Sequence, residues 1–241
     1  MKSILRFRGP ALIPLVAVHI LLFAAGLVAA AALRHVASYV TPFAPAEALR
    51  SFFKQITAAV RVSSFFLFGS AVPFGIFAVT MVSRLRFMGV RAAGTNIALL
   101  GGLTATMALL LSAAAGWILS VPEVLSAVAV VKAIDFFNFL LGGVVYAVGF
   151  GLLAAGVSVT SYYARLLPRW LITLGMLLAL TGELSWFSLI AYPANFFIPF
   201  TRFAGFVWML AVAVALTRSR RVAVSAGISP QVPAAGGSQP A

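Results

Sequence analysis

The chain has no cysteine, only four acidic residues and two histidines in 241 positions. Without thiols there are no disulfides, thiolate metal sites or cysteine nucleophiles. Four acids leave no paired carboxylates. No glycine-rich phosphate loop, HExxH or Gly-x-Ser-x-Gly element is present either. An enzyme is therefore not expected, and no cofactor is implied. Charge of either sign is also scarce. Only 9% of residues are charged and 63% are hydrophobic, where a soluble domain is nearer a quarter charged. Such a chain could not cover its own surface in water. Lipid must be its solvent, which leaves helices or a closed barrel as spanning structures. The apolar runs are continuous over about twenty residues and do not alternate, so they read as helices.

What charge there is lies at the ends of those runs. The formal net charge is +13. Nucleic acid is not the expected partner, because topology signals and anionic headgroups at the cytoplasmic face account for basic residues in these places. Lys2, Arg6 and Arg8 precede the first run, which predicts a cytoplasmic N-terminus. That run, from Ala11 to Leu33, is too long for the apolar core of a signal peptide and reads as an uncleaved span.

Six spans are predicted, at about 11–33, 62–83, 94–119, 137–161, 169–191 and 200–217. Two short helices are expected on the outer face. The first follows Pro45, where Leu49, Phe52, Phe53, Ile56 and Val60 recur at helical spacing, with Glu47, Arg50, Ser51, Lys54 and Gln55 on other faces. That pattern suits a helix in the plane of the interface; the alternative is an extension of the next span. Pro73 falls inside the second span as an expected kink. The second short helix is expected at about 121–135, opened by a capping box of Ser120 and Glu123. As one straight helix, Val121 to Tyr163 would be roughly 64 Å long, twice the hydrocarbon core. A break is therefore expected, with Gly142 and Gly143 as bending points. A seventh span is the alternative. Six spans place eleven basic residues inside and six outside, whereas seven put Arg165, Arg169, Arg218, Arg220 and Arg221 outside, against the charge rule. The tail, 222–241, is rich in Ala, Gly, Pro and Ser, and disorder in the cytoplasm is expected.

Few residues stand out as chemistry. Gly142, Gly149 and Gly156 recur every seven residues, as do Gly175 and Gly182. Close helix packing is the expected use of such stripes, and a backbone-lined path the alternative. His19 lies within the first span without a second ligand at its depth, which favours an interhelical hydrogen bond over a metal or haem site. Glu183 is the one acid called inside a span, roughly 12 Å from the outer end of its helix. It must be neutral, paired or facing water. Two roles stand open, a titrating group in a solute path and a neutral structural hydrogen bond. Ser70, Tyr146 and Thr106 are placed at its depth. Arg202 is the ionic candidate, although side chains leaning toward their helix N-termini point Glu183 inward and Arg202 outward.

PFGIFA from Pro73, SRLR from Ser83, LPRW from Leu167, GELS from Gly182 and PFTRFAGFVW from Pro199 together resemble a family of uncharacterised bacterial integral membrane proteins, a domain of unknown function with about six helices. The resemblance covers most of residues 10–221. It implies a multi-pass protein of the bacterial inner membrane with six spans; the charge rule adds that both termini are cytoplasmic. It brings no activity, cofactor or site residue. The plain polar inventory points first to a structural or partner-binding membrane subunit, as a homo-oligomer or with another membrane protein. The second reading is a small-solute or proton-coupled permease using Glu183.

Overall fold

The computed structural model describes residues 9–34 and 40–225, the last eight of these as backbone only. The expectations on Lys2, Arg6, Arg8, His35 and 226–241 fall outside the described residues. Every described regular element is helical, and six helical stretches are long and apolar enough to cross a membrane.

The first, α1 (Leu12–Leu33), buries Leu12, Val16, His19, Phe23 and Gly26. These recur every three or four residues, so one stripe meets protein and the rest, including Leu21, Leu27 and Val28, is exposed. After the chain turns at Pro42 and Pro45, α2 (Ala46–Gln55) and α3 (Thr57–Phe87) follow, separated only by Ile56 at φ −112° and ψ 19°. The amphipathic segment is thus a separate helix. It ends at Gln55, and residues 57–60, expected in it, begin the span instead. Its apolar face is also turned differently from expectation. Leu49, Phe52 and Phe53 pack with Leu119, Leu125 and Val131 in a small satellite core. Periodicity alone cannot tell a face that meets lipid from one that meets protein. Lys132 braces this end, donating from Nζ to the carbonyls of Pro42, at 2.7 Å, and Ala44.

Helix α3 runs through Pro73 without a break. Next come α4 (Ala93–Ile118), α5 (Val128–Phe139) and α6 (Tyr146–Tyr163). The expected break between 135 and 137 is absent, so the span begins at Val128 and Asp135 lies buried within it, a second acid inside a span where only Glu183 was expected. Instead α5 passes into α6 through a π turn, Leu140–Val145, which contains both Gly142 and Gly143. Nor do Ser120 and Glu123 form a capping box. Ser120 follows α4; its hydroxyl donates to Trp117 O at 2.7 Å, and its own carbonyl accepts from Arg61 Nη2 at 2.9 Å. The N-cap of α5 is Ala127, with no side-chain hydrogen bond.

The last spans are α7 (Arg169–Leu184), continued by a 3-10 turn over Ser185–Leu189, and α8 (Phe197–Ser225). Residues 222–225, expected to be disordered, continue α8. Neighbours form a closed ring in the order α1, α3, α4, α6, α7, α8 and back to α1. The seams on both sides of α8 are thinner than the other four. Phe74, Tyr146, Phe150 and Trp208 fill the middle of the ring and pack against one another.

Candidate functional site

The centre of polar chemistry in the bundle is Arg202, in the second turn of α8. Two prolines set up that entry. Pro193 lies in the 3-10 turn before α8, and Pro199 occupies the first turn of α8, where a missing N–H costs no helical bond. The Arg202 guanidinium carbon lies 4.5 Å from the centroid of the Tyr146 ring and 5.4 Å from that of Phe23. Nη2 donates to the carbonyl of Gly142. Gly142 lies in the π turn, where the widened ladder turns carbonyl oxygens toward outside donors. The guanidinium is therefore held by two ring faces, one backbone oxygen and the Tyr146 hydroxyl. Among the described residues no carboxylate forms an ion pair with it.

A second polar link joins α4 to α5 just before that turn. The Ser112 hydroxyl donates to Asn138 Oδ1 at 2.6 Å. A Cβ at Gly142 would stand 2.4 Å from Ser112 Oγ. A methyl group there would push the Ser112 hydroxyl away from Asn138.

His19 joins α1 to α3, with Nδ1 2.9 Å from the carbonyl oxygen of Ser70. A carbonyl only accepts, so Nδ1 carries the proton in this contact. The ring packs on Phe74 and Phe206. Its Nε2 is buried without a partner, as is Nε of Arg202.

The residues expected around Glu183 lie as follows. Tyr146 and Arg202 meet each other. Ser70 serves His19 through its carbonyl, while its hydroxyl donates to Leu67 O. The Thr106 hydroxyl donates to Gly102 O, and its methyl faces Gly75 on α3. None of the four bonds Glu183. The carboxyl stands near the end of α7, half-buried, with Oε1 enclosed and unpartnered. It lies on one stripe with Met176, Leu180 and Phe187, all exposed. Sequence reasoning missed Phe23, Ser112, Asn138 and the Gly142 carbonyl. Asn138 beside the Gly142–Gly143 pair, inside an apolar run, was the available signal.

The glycine stripes are backbone contacts. Gly149 and Gly156 lie against Gly101, Ala105, Gly94 and Ala98 of α4, and Gly182 against Ala147 and Gly151 of α6. Gly175 makes room for Ser158 and Trp208. Two surface hollows lie elsewhere. One is a groove of about 650 Å³ between α7 and α8, and the other a hollow of about 590 Å³ beside Arg165 and Arg169. Glu183 lines neither. No group of three or more His, Asp or Glu suited to a metal ion occurs among the described residues. No protein-family model matches the chain, and neither a curated protein nor a solved structure matches it.

Proposed function

We propose that this multi-pass protein is a structural or partner-binding subunit without catalytic activity, in a bacterial inner membrane. One contrast carries the reading. Arg202, His19 and Ser112 each bond another helix inside the bundle, at Gly142, Ser70 and Asn138, although His19 Nε2 and Arg202 Nε stay unpartnered there. Glu183, only half-buried, is the one acid on a span stripe of exposed apolar side chains, Met176, Leu180 and Phe187, and it bonds none of the interior groups. A carboxyl in lipid needs a donor or a proton. A neighbouring membrane helix laid along Met176, Leu180 and Phe187 supplies that donor.

A photoreactive amino acid at Leu180, activated in native membranes, should give one discrete protein adduct. Glu183→Leu should remove it, and Glu183→Gln, which keeps an acceptor, should retain it. Adducts to lipid alone, unchanged by Glu183→Leu, would refute the subunit role. The permease reading keeps one observation in its favour, the same open carboxyl. It requires proton flux into liposomes driven by a pH gradient and abolished by Glu183→Gln. Flux equal to that of empty liposomes excludes it.

The proposed topology has both termini in the cytoplasm, with Arg84, Arg86, Arg91, Arg165 and Arg169 on that side and α2 opposite. Reporter fusions after Arg91, Arg165 and Arg221 should all report cytoplasm. A periplasmic signal after Arg165 contradicts this arrangement.

A further inference from the structure

The two surface hollows share a wall. Pro168 lines both, and the residues on either side of it alternate between them: Leu166 and Leu171 line the groove, Leu167 and Ile172 the hollow. The hollow is basic. Arg165 and Arg169 line it with Tyr162 and Tyr163, and none of the four acids belongs to it. The groove is apolar, lined by Trp170, Val207, Leu210, Ala211, Val214 and others, and runs up the thin α7–α8 seam. From Val207 to Ala215 it extends roughly 12 Å along α8. A cationic recess that adjoins an apolar groove across Pro168 has the polarity of one amphiphile with an anionic head.

We propose that the two hollows are one site for an anionic phospholipid, with its phosphate at Arg165 and Arg169 and an acyl chain in the α7–α8 groove. The local backbone suits this use. Arg165 adopts φ +52°, the left-handed position that ends α6. Leu166 N bonds Ser161 O at 3.0 Å and Arg165 N bonds Tyr162 O at 3.3 Å, a turn that glycine ordinarily closes. An arginine held there projects its charge from a fixed point. The first turn of α7 has no side-chain cap, so its amides favour the same anion. Exposed Trp170 stands where aromatic rings meet headgroups. Ala211 and Ala215 leave the chain's volume open. Topology signals alone would require basic residues at this end but no apolar channel joined to them. The site is independent of the partner reading, and Glu183→Leu leaves it unchanged.

The test is native mass spectrometry of the full chain released from micelles containing phosphatidylglycerol and phosphatidylcholine in equal amounts. Phosphatidylglycerol should be retained preferentially. The double variant Arg165→Gln/Arg169→Gln should lose about 25-fold in that preference, roughly fivefold per arginine. Ala211→Phe, which fills the groove and touches no charge, should lower retention of both lipids while the melting temperature stays at the parent value. Inorganic phosphate at the same concentration should not compete, because it has no chain for the groove. Equal retention of the two lipids by the parent, or an unchanged preference in the double variant, overturns the proposal. So does phosphate that competes as strongly as the lipid. A dimer that persists in lipid-stripped detergent and dissociates in Ala211→Phe assigns the groove to a second copy and overturns it as well.

Discussion

Gly156→Ala should destabilise the protein by about 2–3 kcal/mol, while Gly69→Ala should be neutral or stabilising by up to about 1 kcal/mol. Both add one methyl group to a glycine within a spanning helix, so the difference isolates what surrounds it. A Cβ on Gly156 would lie 2.4 Å from the carbonyl oxygen of Gly94 and 2.6 Å from the amide nitrogen of Ala98. These are backbone atoms of α4. They cannot rotate aside, so the two helices must part. Parting them also opens the contact seven residues away, where Gly149 faces the amide of Ala105. Helix association in lipid depends on such close approach, because lipid chains are as apolar as the helix surfaces. At Gly69 the nearest atom is the end of Leu22, 3.8 Å away, an ordinary contact. Alanine there adds helix propensity and displaces nothing. Reversible unfolding in bicelles measures both. Equal shifts for the two variants would mean that the α4–α6 contact does not hold the bundle together.

Arg202→Met should cost about 2 kcal/mol, and a double-mutant cycle with Tyr146→Leu should show coupling of about 1 kcal/mol. Opposing effects decide this number. Removing a desolvated cation is favourable in itself, and methionine fills much of its volume. No carboxylate is ion-paired to Arg202 among the described residues, so no opposite charge is stranded. Two losses outweigh that gain. The Gly142 carbonyl loses its outside donor in a lipid-embedded turn, at about 1–3 kcal/mol for a buried unsatisfied group. The faces of Tyr146 and Phe23 lose a cation that is worth up to about 2 kcal/mol when desolvated. The cycle separates these terms, because Tyr146→Leu removes a ring face and leaves Gly142 in place. Additivity within about 0.5 kcal/mol would show that the ring contributes volume only. A more stable Arg202→Met would show that desolvation of the cation is the larger effect.

The comparison between Glu183 and Arg202 shows where sequence reading ends. Depth along a helix is one-dimensional and follows from counting at 1.5 Å per residue. Counting placed Ser70, Tyr146, Thr106 and Arg202 near one level with Glu183. Azimuth is set by which helices adjoin, and that is a tertiary fact. In the ring order found, Tyr146 turns to Arg202 and Ser70 to His19, while Glu183, half-buried, bonds none of them. The inward lean of Glu183 and outward lean of Arg202, argued from helix direction alone, agree with their failure to pair.

Composition determined that lipid is the solvent, because 9% charge cannot cover a surface in water, and the unbroken, non-alternating apolar runs then decided for helix over barrel. Run length and spacing located six spans and a separate amphipathic helix, since both are properties of a single element. Tertiary structure alone decided what each face meets. The face of Leu49 and Phe52 covers protein rather than lipid, and both solvents select the same residue types. The π turn at Leu140–Val145 is a conformation that Gly142 and Gly143 permit, although they do not specify it. The partners of Arg202 come from α1 and from the junction of that turn with α6, both far from Arg202 in the chain. A local pattern records what one helix prefers, and only the closed ring of six determines which preferences meet.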